Sequence, residues 1–272
     1  MNQIFSFSEC PIYCDNLLLF VEEARLTFSN KLDPRYVIDT SKAIDVVAQD
    51  GMTVEIELSF SPLFQDPIYN SIINKQGINL NIGGMEFNGG FANNFTLQGN
   101  HGSPIKGSAR MLFYDIFQGD FNPIQFQRTI YHEISNENFQ IAHASMTELI
   151  QNLKIEIPMS FSYVYNSRFN PIYNVGSEKC QGIRMDRQTI QSSIVGDKID
   201  NYISTFGNSA AISFSLKDIC GDSLVIRRTK FNDESWNQED TIYKCEGKIT
   251  NFNTSVSPND IIKTSVEVIQ YL

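Results

Sequence analysis

The sequence predicts a mainly β protein in which one all-β module occurs twice along the chain. Three observations support this: a composition that favours strands, several stretches of period-two alternation, and two pairs of segments that match at constant offsets. The 272 residues include 20 Phe and 11 Tyr but a single Trp. Aromatic and β-branched residues suit the pleated, half-buried surface of a sheet. The length fits one large all-β domain or two domains of about 100–150 residues.

The firmest repeat aligns residues 90–114 with residues 247–271 at a constant offset of 157, without a gap. Seven of the 25 aligned positions are identical, whereas ordinary residue usage gives about one or two by chance. The identical pairs are Gly90/Gly247, Asn94/Asn251, Phe95/Phe252, Ile105/Ile262, Lys106/Lys263, Ser108/Ser265 and Tyr114/Tyr271. Turn residues occupy 99–104 in the first copy and 257–260 in the second, so each segment predicts two strands joined by a turn.

The last strand of each predicted hairpin alternates between an apolar and a polar face. Side chains at alternate positions of a strand point to opposite sides of the sheet, so we expect one face to be buried. On the apolar face, Ile105, Ala109 and Met111 match Ile262, Val266 and Val268; on the polar face, Lys106, Ser108 and Arg110 match Lys263, Ser265 and Glu267.

A second repeat aligns residues 33–38 with residues 170–175 around a Pro-x-Tyr sequence, now at an offset of 137, and places Lys42 at Lys179. The two offsets differ by 157 − 137 = 20 residues, which predicts an insertion in the second copy at about residues 180–204. We expect this insertion to be either a hairpin or arm that reaches a neighbouring ring of subunits, or an ordinary surface loop, since long loops are often functional.

The predicted order of elements is the same in both copies. A first strand at residues 24–29 or 155–163 precedes a Pro-Tyr loop, a middle strand, a connecting segment and the closing hairpin. The middle strands are 53–58, with Val54, Ile56 and Leu58 inward, and 211–216, with Ile212, Phe214 and Leu216 inward.

Two short helices are also predicted, one in the first copy and one in the segment that links the copies. In the connecting segment 61–74, Asp66 suits an N-cap and Pro67 the first helical turn. In the segment that links the copies, Ser145 and Glu148 have the spacing of a capping box. The predicted domain organisation is a first β module at 1–120, a linker at 121–148 and a second β module at 149–272.

No catalytic, cofactor-binding or metal site is predicted. His132-Glu133 and His143 are too far apart for a helical zinc pair, and Cys10 and Cys14 lack a second cysteine pair nearby. Gly83-Gly84 and Gly89-Gly90 favour hairpin turns over a phosphate-binding loop. Glu55 and Glu57 predict a solvated strand face. A catalytic pair assembled from distant loops stays open.

The charge and the cysteines narrow the class of protein further. The net charge is −10, and the densest basic run is only 227–230, so a protein that grips nucleic acid is not predicted. The five cysteines are odd in number and irregularly spaced, which favours a reducing cytoplasm over a secreted disulfide framework. The longest local apolar run, residues 17–21, is too short to cross a bilayer, so no membrane insertion is expected.

The repeated segments resemble the modules of bacteriophage tail tube proteins. The similarity lies in the closing hairpin at 247–252, 257–260 and 266–268, and in the strand 159–163 followed by 171–173 and Gly176-Ser177. It covers about four-fifths of the chain, counted as two modules of ordinary domain size. The resemblance implies that each module is a small β-sandwich or barrel flanked by a short helix.

The same resemblance implies a function in the virion tail. Six such modules close a ring around a DNA conduit, so a chain with two modules implies a homotrimeric ring with pseudo-sixfold symmetry, acting as tail tube or baseplate hub. The implied partners are other copies of the chain and other phage tail proteins, with assembly in the host cytoplasm. DNA would pass without specific binding and with no cofactor. Three chains carry 3 × −10 = −30 charges. This acidity either only aids solubility or gives the implied ring an acidic lumen, with Glu55, Glu57 or Glu267 as sources, that lets DNA slide.

Two other classes of function stay open on the sequence. One is a tandem β-sandwich binding module that recognises a carbohydrate or a receptor, which a glycan array would reveal. The single Trp236 makes this less attractive, although Tyr can replace Trp in a sugar platform. The other is a hydrolytic enzyme on a β scaffold, which the missing motifs disfavour.

Overall fold

The computed structural model describes residues 12–15, 17–29, 32–36, 43–48, 52–62, 66–100, 105–114, 147–150, 158–174, 180–196, 209–215, 242–256 and 262–272. Over these residues the chain is mainly β, as predicted. The elements are β1 Ile12–Cys14, β2 Leu17–Ser29, β3 Leu32–Tyr36, β4 Ala43–Ala48, β5 Thr53–Ser61, α1 Pro67–Ile73, β6 Ile78–Ile82, β7 Met85–Asn100, β8 Lys106–Phe113, β9 Thr147–Ile150, β10 Pro158–Tyr173, β11 Cys180–Gly196, β12 Ser209–Ser215, β13 Ile242–Ser255 and β14 Lys263–Tyr271.

Twelve of these strands form one antiparallel sheet in the order β6-β1-β2-β5-β8-β7-β10-β11-β14-β13-β12-β9, and β3 and β4 form a separate hairpin. Strand β6 also pairs with β7, so the six strands β6-β1-β2-β5-β8-β7 form a closed circuit of pairings. The long strand β7 then continues the sheet into the second half of the chain, because its residues 94–100 pair with β10.

The two closing hairpins, β7–β8 and β13–β14, have the same register at the offset of 157. Phe95 lies opposite Ala109 in the first hairpin, and Phe252 lies opposite Val266 in the second. Both hairpins also contain an irregularity at the same place, residues 92–94 in β7 and 249–251 in β13. Bulges re-aim a strand at a defined position, so this agreement extends the sequence match to backbone geometry.

The long hairpins before them also correspond, with β2 and β10 at an offset of 163 − 26 = 137 and β5 and β11 at an offset of 192 − 56 = 136. Leu26 of β2 lies opposite Ile56 of β5, and Tyr163 of β10 lies opposite Ser192 of β11. The Pro-Tyr segments are strands rather than the predicted loops: residues 34–36 lie in β3 and residues 171–173 in β10. Each segment ends in a register shift directly before its tyrosine. Tyr36 then faces Ala43 in the first copy, and Tyr173 faces Cys180 in the second.

The pairing corrects the predicted middle strand of the second copy. Strand β5 lies between β2 and β8, and the strand in the equivalent place between β10 and β14 is β11, not residues 211–216. Strand β12 instead pairs with the start of β13, as β6 pairs with the start of β7. Residues 180–196 therefore form a strand inside the sheet and are neither an arm nor a surface loop. Residues 197–204 and Leu216 lie outside the described residues.

The first predicted helix is confirmed and the second is not. Helix α1 begins at Pro67, and Oδ1 of Asp66 accepts hydrogen bonds from the backbone N–H groups of Ile68 and Tyr69, both at 3.0 Å. At the second site, residues 147–150 form strand β9. The capping-box spacing was misleading there because pairing with β12 overrides a weak local preference.

The paired glycines have two different roles. Gly83 and Gly84 form the predicted two-residue turn between β6 and β7, and their φ angles of 57° and 96° are the left-handed values that such a turn requires. Gly89 and Gly90 lie within β7 instead of in a turn. Gly90 is needed for packing, since a Cβ there would meet the ring of Phe113 at 2.2 Å.

One apolar core runs through both halves of the chain. The predicted inward residues Val54, Ile56, Leu58, Ile105, Ala109, Met111, Val266 and Val268 are all at most 3 % exposed. Ile262 is the exception, at 50 % exposed, because it precedes the first residue of β14.

Helix α1 connects the two halves through a group of aromatic rings. The ring of Tyr69 lies 4.4 Å from that of Tyr243 in β13, 5.8 Å from Tyr163 in β10 and 6.0 Å from Phe95 in β7. The Tyr243 hydroxyl donates a hydrogen bond of 3.1 Å to Oδ2 of Asp66. A helix from the first half thus fixes a strand of the second half by direct polar contact in the core.

These buried tyrosines predict a loss of stability in alkali. Burial raises the pKa of the Tyr163 and Tyr243 hydroxyls above their ordinary value of 10.0. Above pH 10 the unfolded chain therefore loses protons that the folded chain keeps, so the stabilisation present below pH 10 declines as the pH rises. The expected slope is about 1.4 kcal/mol per pH unit for each tyrosine.

Chemical denaturation between pH 9 and 12 measures this slope. Tyr163→Phe and Tyr243→Phe should each flatten it, whatever their effect on stability at neutral pH. A slope that is the same in the wild type and in both variants would contradict the assignment to these two groups.

Candidate functional site

The candidate functional site is the polar face of eight neighbouring strands, β2-β5-β8-β7-β10-β11-β14-β13. Alternation buries one side of these strands in the core and leaves the other side mostly polar. The apolar side chains Leu112, Val164, Val195 and Ile269 also lie on this side. The polar side chains of this face include Glu23, Arg25 and Thr27; Glu55, Glu57 and Ser59; Lys106, Ser108 and Arg110; Asn94, Thr96 and Gln98; Ser160, Ser162 and Asn166; Thr189, Gln191 and Ser193; Lys263, Ser265 and Glu267; and Asn251, Asn253 and Ser255.

Hydrogen bonds between strands hold the polar face together across the middle of the sheet. Nδ2 of Asn94 donates to Oδ1 of Asn166 at 2.8 Å across the β7–β10 junction between the two halves. Hydroxyl pairs join β7 to β8 and β10 to β11: Thr96 with Ser108 at 2.6 Å, and Ser162 with Ser193 at 2.8 Å. The two halves therefore share one continuous polar surface.

The carboxylates predicted to make this face acidic are held by polar partners. The guanidinium of Arg110 lies 2.6 Å from Oε1 of Glu55 and 3.6 Å from Oε1 of Glu57. The hydrogen bond to Glu55 raises the pKa of Arg110 above its ordinary value. Glu267 accepts a hydrogen bond from Nε2 of Gln191.

The described part of this face is close to neutral rather than acidic. Its carboxylates are Glu23, Glu55, Glu57 and Glu267, with Glu22 at the β2 bulge, and its cations are Arg25, Lys106, Arg110, Lys248 and Lys263. Arg168 of β10 and Arg187 of β11 also lie on this side, opposite each other and two residues on from Asn166 and Thr189. Acidic groups therefore do not outnumber basic ones, and the described part of this face lacks the net negative charge expected from Glu55, Glu57 and Glu267. Their neutralising partners come from other strands, which the linear sequence does not reveal.

An open trough of about 590 Å³ lies on this face where β2, β5, β8, β7 and β10 meet. Its lining is Glu23, Arg25, Glu57, Leu58, Ser59, Asn93, Asn94, Ser108, Ala109, Arg110 and Asn166. Donors and acceptors are mixed and no aromatic ring is among them, so the trough does not favour the carbohydrate-binding alternative, in which sugars stack on aromatic platforms.

The eight-stranded sheet has two outer edges in the described chain. On the side of β2 away from β5, no described strand pairs with residues 23–27. On β13, strand β12 pairs only as far as Lys248, and no described strand pairs with the same side of residues 253–255. Exposed edges of this kind are templates for pairing with another chain.

Several residues considered in the sequence lie outside the described part of the chain: Cys10, His132, Glu133, His143, Cys220, Trp236 and the basic run 227–230. Among the residues that are described, no group of three metal-ligating side chains comes together. No helix among them is long and apolar enough to cross a membrane.

The sequence did not identify the β7–β10 junction. Asn94 was noted as an identity with Asn251, but its partner Asn166 belongs to a strand that the sequence placed in a separate module. The repeat contains a signal for such a junction. Since β7 corresponds to β13 and β10 to β2, a pairing between β7 and β10 predicts an equivalent pairing between β13 and β2.

Comparison with known proteins identifies no family for this chain. No family model matches it, and no curated protein matches it. Among solved structures it is similar to that of SPP1 Dit, described as a paradigm of the hub adsorption apparatus in phages that infect Gram-positive bacteria. The match has 10 % identity, covers 96 % of this chain and 99 % of the other, and has a TM-score of 0.26. A TM-score at this level does not establish a common fold.

Proposed function

We propose that this chain is a structural protein of a phage tail that forms rings, and that these rings build or initiate the tube through which DNA passes. The main support is the continuous eight-stranded sheet. It joins both halves through β7 and β10, and it ends in two edges, β2 and β13, that occupy the places of β10 and β7 in the repeat. The sequence resemblance to tail tube modules supports the same proposal.

Ring closure follows from the geometry of such edges. A contact between two different surfaces of identical subunits produces a ring when the rotation closes and a filament when it does not. With two tandem modules in each chain, three chains supply six modules and 3 × 8 = 24 strands. A closed barrel removes the strand edges that otherwise lead to aggregation. The proposed particle is a homotrimer with pseudo-sixfold symmetry.

In this proposal the polar face lines the lumen. A face on which acidic and basic groups nearly balance lacks the basic stripe that holds DNA through counterion release. Its hydroxyl, amide and paired charged groups stay hydrated, so DNA can move past them without a specific contact. This replaces an acidic lumen by a neutral one.

Mass photometry and negative-stain microscopy of the purified chain test the proposed function. We expect particles of three chains with a central hole and six lobes, alone or after addition of other tail proteins from the same phage. A monomer under all of these conditions, up to high concentration, would count against the proposal.

The lining of the lumen is tested by charge reversal. Rings of Glu23→Lys/Glu267→Lys should retain duplex DNA at low salt and release it as salt rises, because added cations on this face create counterion-release binding. The matched control Glu86→Lys/Asp186→Lys changes the charge equally at two positions outside the paired rows that join the eight strands, and should behave as the wild type does. Equal DNA retention by both double variants, measured by filter binding, would exclude the polar face as the lumen lining.

A further inference from the structure

We infer that strand β13 of one copy pairs antiparallel with strand β2 of the next at one specific register, in which Asn253 lies opposite Thr27 and Ser255 opposite Arg25. This inference rests on the proposed ring and adds the atomic arrangement of its interface. Its occupant is a second copy of this chain, and its basis is the junction that the chain already forms within itself.

The internal junction between β7 and β10 supplies the template. The pairs run from Asn94 opposite Asn166 to Asn100 opposite Ser160, with Thr96 opposite Val164 near the middle. On the core side of this junction, Phe95 lies opposite Tyr165, and both side chains are at most 2 % exposed. The junction is therefore polar on one face and fully buried on the other.

The repeat transfers this template to the two outer edges. Strand β7 corresponds to β13 at an offset of 157, since Phe95–Ala109 and Phe252–Val266 are equivalent pairs. Strand β10 corresponds to β2 and β3 at an offset of 137, since Leu32–Ala48 and Phe169–Met185 are equivalent pairs. Thr96 then becomes 96 + 157 = 253 and Val164 becomes 164 − 137 = 27, which gives the pair Asn253–Thr27.

Side-chain volumes at the two junctions support this register. In the internal junction, Gly99 lies opposite Phe161, and a Cβ on the glycine would meet the phenylalanine ring at 2.5 Å. The equivalent positions at the outer edges are Val256 and Ala24. In the internal junction the large residue is Phe161 on β10, whereas at the outer edges it is Val256 after β13. The same space is therefore filled from the opposite strand. A shift of the register by two residues would lose this exchange of volume.

Exposure at the two edges points to the same contact. Phe28 of β2 is 46 % exposed and Val256 after β13 is 69 % exposed, although both lie on the core side of the sheet. The residue equivalent to Phe28 in the internal junction is Tyr165, at 2 % exposed. Large apolar side chains on the core side are thus exposed at the edges and covered at the template junction, which a second copy at the same register would also achieve.

The polar side of the inferred junction is electrostatically acceptable. Arg25 lies opposite Ser255 and Thr27 opposite Asn253, so no like charges face each other directly. Like charges in directly opposite positions destabilise a strand pair. Hydroxyl, amide and guanidinium groups there would continue the polar face from one subunit to the next.

Disulfide scanning of assembled rings tests the register. Thr27→Cys is combined, in separate double variants, with Asn251→Cys, Asn253→Cys or Ser255→Cys, and the rings are oxidised and separated on non-reducing gels. Thr96→Cys/Val164→Cys is the matched control, because these positions are equivalent across the internal junction and their intrachain yield sets the scale. Single variants control for cross-links through the native cysteines.

We expect the pair at 27 and 253 to cross-link with a yield close to that of the internal control and at least about fivefold above the other two pairs, because Cβ atoms of directly opposite residues are about 4.5–5.5 Å apart. The covalent ladder should end at a closed ring, whereas a mixture of the two single variants should stop at a dimer. Rings that form but cross-link best at 251 or 255 overturn the register and leave the proposed function intact. Failure of the wild type to assemble overturns both.

Discussion

Replacing Asp66 by alanine is expected to lower the free energy of unfolding by about 2–4 kcal/mol, because one carboxylate serves two structures. Its Oδ1 caps helix α1 through two hydrogen bonds of 3.0 Å, and losing a cap costs about 1 kcal/mol. Its Oδ2 accepts from the hydroxyl of Tyr243, which is fully buried. A buried hydroxyl left without an acceptor costs about a further 1–3 kcal/mol.

Urea denaturation at neutral pH measures this loss, and Asp66→Asn is the matched control. Asparagine caps helices as well as aspartate does, but its Nδ2 is a donor and cannot accept from the Tyr243 hydroxyl. We therefore expect Asp66→Asn to keep the cap and to lose only the ~1–3 kcal/mol that belongs to the buried hydroxyl. A double-mutant cycle with Tyr243→Phe isolates the contact between α1 and β13. Equal losses in the alanine and asparagine variants, or no coupling to Tyr243, would contradict this account.

Gly247→Ala is expected to cost about 3 kcal/mol or more, because the new methyl group meets backbone rather than a movable side chain. A Cβ at Gly247 would lie 1.8 Å from the carbonyl oxygen of Ile269 in the neighbouring strand. Relief requires the β13–β14 pairing to open locally, and overpacking of a fixed core costs about 1–3 kcal/mol even without that. The loss should also reduce ring formation, since β13 carries the proposed interface.

Two other glycines give a graded comparison in the same thermal and urea measurements. Gly90, the repeat equivalent of Gly247, would place its Cβ 2.2 Å from the Phe113 ring, which can move, so we expect about 1–3 kcal/mol for Gly90→Ala. At Gly182 no atom lies within 4 Å of an added Cβ, so Gly182→Ala should change stability by less than about 0.5 kcal/mol. A loss at Gly182 as large as at Gly247 would refute the steric argument.

The proposed function depends on how the two halves are joined, and this separates it from the alternatives. A carbohydrate-binding module or a hydrolase needs a concave site with aromatic or catalytic groups. Among the described residues, no aromatic ring lines the trough on the polar face, and Glu57, one of its two carboxylates, lies 3.6 Å from Arg110. The two sheet edges, β13 and β2, by contrast, correspond through the repeat to β7 and β10, which pair with each other within the chain.

Local and periodic features could be predicted from the sequence. The mainly β fold, the hairpin repeat at the offset of 157, the turn at Gly83-Gly84 and the helix capped by Asp66 all depend on residues near one another in the chain. Period-two alternation and capping are properties of short segments, so their residues identify them directly.

Neighbour relationships between strands were decided by the tertiary structure. Alternation is the same for every half-buried strand, so residues 211–216 matched 53–58 as well as a true counterpart would. Pairing assigned that place to β11 instead. The capping-box spacing at Ser145 and Glu148 was overridden in the same way, because β9 gains backbone hydrogen bonds from β12.

Charge on the candidate face was likewise set by contacts distant in sequence. The sequence determined that Glu55 and Glu57 lie on the outer face of a strand, because alternation fixes the side of the sheet. Only the structure placed Arg110, 55 residues from Glu55, beside them and made the face neutral. Periodicity determines which side of a strand a residue occupies, and it can be seen directly in the sequence. Register between strands determines which residue it meets, and that register exists only once the chain has folded.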